Sequence, residues 1–364
     1  MKRNLMLIIA LVLAMSLLAG CAGTVVVVGD CTCPTGSHTP ETQPSETKPD
    51  DNTDIAEGKV KTGLAVFTTI NKSTSATADA EGAVSYDVTI AAVTVDDNGV
   101  ITDCVLDSIG ATVKLSNTGA ITSDVTAAVA TKNELGENYG MVAWGGAIAE
   151  WNEQAAALCD FAIGKTVQEL REGAVDETGY APAGSDLATS ATIYLAGYVD
   201  AIEAAVINAA HLGASAGDEL KLSTVNSLAS STAPTADKAG NAQLDATVSA
   251  VTVKDGIITS CLIDSVQAKV AFDTTGTITT DLNAPFPTKN DLGADYGMVA
   301  WGGAIAEWNE QAAAFASYVT GKTAAEVAGI SVNEGGAPAD ADLATSVTIK
   351  IGDFQALIAK AFAE

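Results

Sequence analysis

Two short hydroxyl-rich segments carry the residues best suited to chemistry: Asp186-Leu-Ala-Thr-Ser-Ala-Thr192 and Asp342-Leu-Ala-Thr-Ser-Val-Thr348. Helical spacing follows each of them, through Leu195, Tyr198, Val199, Ile202 and Val206 in one case and Phe354, Leu357, Ile358 and Phe362 in the other. A hydroxyl at a helix N-terminus lies near unpaired backbone N–H groups and the positive end of the helix dipole, where a singly charged phosphodiester is stabilised. Small neighbours (Ala188, Ser190 and Ala191) let the backbone approach such a phosphate. No base lies near Thr192 in sequence, so it suits modification by another enzyme better than self-activated attack. The competing reading is local: Asp186 or Ser185 caps the last helix, and Thr192 is an ordinary first-turn residue.

A second candidate is the segment around Trp144-Gly145-Gly146, repeated as Trp301-Gly302-Gly303. Trp144 and Trp301, with Tyr139 and Tyr296, offer aromatic faces to a planar ligand; the alternative is that they pack in the core. Glu150 and Glu307 read as solvated helix charges. Only His38 and His211 are present, which argues against histidine-based triads and multi-histidine metal sites. No paired carboxylates, phosphate-binding glycine loop or zinc-like spacing occurs.

The Asp-Leu-Ala-Thr-Ser segments resemble the acceptor motif of covalent flavinylation, roughly D-x-x-[ST]-G-A-T. That motif marks FMN-binding domains such as the flavinylated subunits of sodium-pumping NADH:quinone reductases and Rnf complexes. There, a flavin transferase takes FMN from FAD and esterifies its phosphate to the last threonine. The resemblance implies two covalent FMN groups, on Thr192 and Thr348. Asp186 and Asp342 match the acidic position, Thr189 and Thr345 the hydroxyl position, and Ala191 the alanine. Ser190 and Ser346 stand where the motif has glycine, and Val347 where it has alanine.

The elements that must position these threonines come in duplicate. Tyr139 to Ala157 recurs unchanged as Tyr296 to Ala314, and the run around Ala92-Val-Thr-Val95 and Cys104 matches that around Ala250 and Cys261. These matches divide the chain into domains at 58–212 and 216–364. In each, an alternating strand (Val88 to Val95) leads through an Asx-Gly turn at Asp97-Asn98-Gly99 to a second strand, Val100 to Leu106; the second copy turns at Lys254-Asp255-Gly256. A helix from about Ala147 to Phe161 follows, then capping boxes at Thr166–Glu169 and Thr323–Glu326. Strands first and helices later predict an α+β fold, an antiparallel sheet with packed helices in each copy. By the resemblance, each copy is an FMN-binding-like domain.

Residues 1–20 read as a signal peptide: Lys2 and Arg3, an apolar run from Leu5 to Leu18, then Leu18-Ala19-Gly20-Cys21, which resembles a bacterial lipobox. That resemblance implies cleavage and lipidation at Cys21. Residues 21–57 form a linker, rich in Pro, Thr, Ser and Glu, that is expected to be a disordered tether. Cys31 and Cys33 in it are read as thiols without a role, and Cys104 and Cys261 as buried small hydrophobes. The formal charge is −27, or −29 once Lys2 and Arg3 are removed, which argues against nucleic acid and against electrostatic docking on anionic lipid.

A duplicated, tethered lipoprotein with this motif is similar to extracellular electron-transfer flavoproteins of the PplA type. The similarity implies a lipid-anchored, redox-active electron carrier outside the cytoplasm, on a Gram-positive cell surface, rather than an enzyme with its own acid and base. It further implies a flavin transferase as modifying enzyme, a membrane quinol-linked reductase as donor and an extracellular acceptor such as ferric iron. The alternative is a non-enzymatic surface lipoprotein that binds a small ligand or wall component.

Overall fold

The computed structural model describes residues 58–363; the expected signal peptide (1–20), the expected tether (21–57) and with it Cys21, Cys31 and Cys33 lie outside the described residues. The first repeat runs β1 (Lys61–Thr69), β2 (Gly82–Val95), β3 (Ile101–Leu115), then α1 (Lys132–Leu135), α2 (Met141–Gly145), α3 (Trp151–Ala162), α4 (Val167–Ala174) and α5 (Ala196–Ile207). The second runs β4 (Glu219–Ser227), β5 (Gly240–Lys254), β6 (Ile257–Phe272), α6 (Lys289–Leu292), α7 (Met298–Gly302), α8 (Trp308–Val319), α9 (Ala324–Ala328), α10 (Ala341–Ala344) and α11 (Gly352–Ala361), the same order with α10 added where the first has a 3-10 turn at Leu187–Thr189. The fold is α+β, with two three-stranded antiparallel sheets ordered β1-β2-β3 and β4-β5-β6.

The strands are longer than their apolar runs suggest. β2 begins at Gly82 rather than near Val88, and β3 continues to Leu115 rather than ending at Leu106. The reason is that both faces of each sheet are covered. Alternation sends Val84, Tyr86, Val88, Ile90 and Ala92 of β2 to one side and Ala91, Val93 and Val95 to the other. The second set meets α3 and α5 of the same repeat. The first set meets Leu244, Ala246, Val248 and Phe272 of the other repeat's sheet in one continuous core.

Helices, sheet, sheet and helices therefore stack as four layers, and the described residues form one compact unit. Each buried Val, Ile or Leu contributes about 1.5–3 kcal/mol, so a core drawn from both sheets makes each repeat a large part of the other's stability. The sheet edges meet through side chains, with Thr62 and Ser260 hydroxyls 2.7 Å apart and the Leu220 amide donating to the Asp103 carboxylate at 3.3 Å. α5 lies very close to β1: a Cβ at Gly63 would stand 2.0 Å from the Ala205 carbonyl oxygen, so only glycine fits.

Candidate functional site

Helix α3 organises the site. Its sequence is rich in Ala, Glu, Gln and Leu, which favour helix, and the Glu153 carboxylate accepts from the Glu150 amide at 2.8 Å to close its first turn. Trp151, Gln154, Ala155, Leu158, Cys159 and Ala162 fall on its buried stripe. Gln154 is the polar exception. A buried amide must find partners or cost free energy, and here both the nitrogen and the oxygen have them. Its Nε2 donates to the Ala149 carbonyl at 2.8 Å. Its Oε1 accepts from the Thr192 amide at 2.7 Å, the Ile193 amide at 3.2 Å and the Thr192 hydroxyl at 3.3 Å.

The second repeat reproduces this arrangement. Gln311 donates to the Ala306 carbonyl at 2.8 Å and accepts from the Thr348 amide at 2.8 Å, the Ile349 amide at 3.2 Å and the Thr348 hydroxyl at 3.2 Å. Sequence reasoning missed both glutamines. The available signal was an amide on an otherwise apolar helical stripe.

Both threonines are exposed, but neither begins a helix. α5 starts at Ala196 with Leu195 as N-cap, and α11 at Gly352 with Ile351 as N-cap, so Thr192 and Thr348 precede their helices on a loop. The helix-terminus account is therefore corrected, and so is the competing account of a first-turn residue. The glutamine, not the last helix, holds the threonine backbone, because two successive amides converge on its oxygen. The rest of the motif divides into inward and outward positions. Leu187 and Ala191, or Leu343 and Val347, are buried, while Asp186, Thr189, Ser190 and their counterparts Asp342, Thr345 and Ser346 face solvent. The Thr189 and Thr345 hydroxyls donate to the Asp186 and Asp342 carbonyls at 2.7 Å, closing the turn. Val347 in place of Ala191 is a change in core filling, on the side away from solvent.

Glu150 and Glu307 are corrected too. They are buried, and each carboxylate accepts from two amides at the start of the preceding short helix: Met141 and Val142 at 2.8 and 3.0 Å, Met298 and Val299 at 2.8 and 3.1 Å. These N-terminal N–H groups have no partner within a one-turn helix, and a carboxylate satisfies them while complementing the dipole. Glu150 and Gln154 lie one helical turn apart. The first turn of α3 thus anchors the Trp-Gly-Gly turn with one side chain and the threonine loop with the other.

Trp144 and Trp301 are not core residues. Trp144 is 85% exposed and Trp301 89%, beside exposed Val142 and Ile148 or Val299 and Ile305. The backbone is shaped around these rings: Gly140 has φ +80°, and a Cβ there would stand 2.7 Å from the Trp144 ring. Tyr139 and Tyr296 are half-buried. The Lys132 ammonium lies 5.2 Å from the Tyr139 ring centre and 4.9 Å from that of Trp151; Lys289 sits likewise by Tyr296 and Trp308. Burial among these rings pulls both lysines below their ordinary range.

Two buried carboxyls, Asp107 and Asp264, tie each sheet to its first helix. Asp107 accepts from the Ser108 and Asn133 amides at 2.7 and 3.2 Å, and Asp264 from those of Ser265 and Asn290 at 2.7 and 3.2 Å. Burial pushes both up to about 6. Among the described residues, no group of three or more His, Cys, Asp or Glu is arranged to hold a metal ion, and no helix is long and apolar enough to cross a membrane. Comparison of the chain with protein families, with curated proteins and with solved structures found no match.

Proposed function

We propose that the protein is a lipid-anchored electron carrier with two FMN groups, each joined through its phosphate to the hydroxyl of Thr192 or Thr348. The observation that supports this reading most is the repeated cradle: an exposed threonine, at the acceptor position of the motif, whose own backbone is pinned by a fully buried glutamine. The hydroxyl is accessible to a modifying enzyme while its Cα is restrained. The residues fit the group in a particular way. The Thr192 and Ile193 amides are occupied by Gln154, so the phosphate lies on the solvent side of the loop, and Asp186 and Asp342 are among the motif residues open to the flavin transferase. Trp144 with Tyr139, and Trp301 with Tyr296, supply the aromatic surface for the ring.

FMN supplies the redox chemistry when bound; the chain binds it, orients it and keeps it at the membrane through Cys21. Electrons enter from a membrane quinol-linked reductase and leave to an extracellular acceptor such as ferric iron. Co-expression with a flavin transferase followed by denaturing electrophoresis tests the reading. A fluorescent flavin band is expected, at about half intensity in Thr192→Val or Thr348→Val and absent in the double variant. A dark wild-type band overturns it.

The exposure of Trp144 and Trp301 favours one second reading, a surface lipoprotein that binds a small ligand or wall component through these faces. That protein bears no covalent flavin, and it loses ligand binding on Trp144→Ala with Trp301→Ala.

A further inference from the structure

Two thiols in the first repeat stand in direct contact. Cys104 on β3 and Cys159 on α3 are both buried in the apolar layer between sheet and helices, with their sulfurs 3.3 Å apart. The second repeat keeps only half of the pair. Cys261 occupies the place of Cys104, but Ala316 occupies that of Cys159, and both line a cavity of about 600 Å³. A thiol in one repeat is thus matched by a methyl group in the other, within a helix whose first turns are identical in the two copies.

We propose that Cys104 and Cys159 are a modification site, joined as a disulfide under oxidising conditions, which pins α3 to β3 in the first repeat alone. Bond formation closes the gap from 3.3 Å to about 2.0 Å, a change within reach of side-chain rotation. Two electrons and two protons leave the thiols. The Cys104–Cys159 bond forms, through a mixed disulfide, as the S–S bond of a low-molecular-weight disulfide such as oxidised glutathione breaks to give two thiols. Contact with Cys159 and burial both push the Cys104 thiol upward, so attack begins from a state in which α3 has lifted from the sheet. Once made, the bond is shielded by the same packing. It lies one and a half turns beyond Gln154, so it restrains the helix that holds Thr192 but leaves Gln311 and Thr348 untouched. The inference stands on this geometry and does not depend on the flavin reading.

The test uses the full chain, purified reduced and then incubated with oxidised glutathione. Remaining thiols are blocked in denaturant and the peptides mapped by mass. Peptides carrying Cys104 and Cys159 should be found linked with the loss of two hydrogens, and Cys261 should be fully alkylated. The oxidised protein should melt about 5 °C above the reduced one, since closing a long loop constrains the unfolded chain. Cys159→Ala, the residue already present at position 316, should fold and abolish that difference. Alkylation of both Cys104 and Cys159, a persistent glutathione adduct on either, or linkage of either to Cys261, Cys31 or Cys33 overturns the proposal.

Discussion

The two repeats agree at the buried glutamine and glutamate that hold the loops and differ in the packing around them. The Gln154 and Gln311 bonds match to within 0.1 Å, as do those of Glu150 and Glu307. Around them the repeats diverge. Tyr198 accepts from the Trp151 indole at 2.9 Å, whereas Phe354 meets Trp308 edge-on with ring centres 5.8 Å apart. Beside the threonine loop, Tyr194 and Tyr180 pair edge to face in the first repeat, while Lys350 follows Thr348 in the second. Apolar cores accept substitutions that conserve volume, but a buried amide has few alternative partners, and losing one leaves an unsatisfied group. The difference teaches which residues the cradle depends on: the glutamine first, the rings second.

The largest effect is expected from the glutamines. Gln154→Ala strips the Thr192 and Ile193 amides and the Ala149 carbonyl of their partner and leaves a cavity, costing about 3 kcal/mol in chemical denaturation. Gln311→Ala should cost the same, and a markedly smaller cost in either repeat breaks the equivalence drawn here. If the flavin reading holds, each variant also loses loading at its own threonine.

A comparable effect follows from pH. Asp107 and Asp264 titrate at about 6 when folded, against about 3.9 in an unfolded chain. The folded state therefore holds more protons between these values, and stability falls as pH rises from about 4 to about 6. Each buried carboxyl should account for about 3 kcal/mol over its full titration, so the protein should melt higher at pH 5 than at pH 7. Asp107→Asn with Asp264→Asn should flatten that slope, and one substitution alone should remove about half of it.

Tyr198→Phe, which gives the first repeat the ring of the second, should cost about 1 kcal/mol, the worth of the indole hydrogen bond. Smallest of all, Trp144→Ala should change stability by less than about 0.5 kcal/mol, because its ring is already in water. A larger loss would mean that the ring supports the fold rather than presenting a surface.

Local features were legible in the residues. The duplication is visible in the sequence itself, and the hairpin at Asp97-Asn98-Gly99 and the capping boxes at Thr166 and Thr323, which depend on neighbours a few positions apart, are present. The burial of Cys104 and Cys261 also follows from their place in strand-like runs. The site was legible only as far as its loop. Gln154 and Thr192 are 38 positions apart, and no short-range pattern tells a buried glutamine from a solvated one on an alanine-rich helix. Glu150 was misread for that reason: its burial depends on the α2 amides folding back onto it.

By itself the sequence determined the α+β class and the two equivalent halves, because strand alternation, turn residues and caps act over one or two turns of chain. Only the tertiary structure decided that the two sheets share one core, that a buried glutamine rather than a helix end holds each threonine, and that Cys104 meets Cys159 while Cys261 faces a cavity. Those outcomes follow from which faces must be covered, and a face finds its cover in residues distant along the chain.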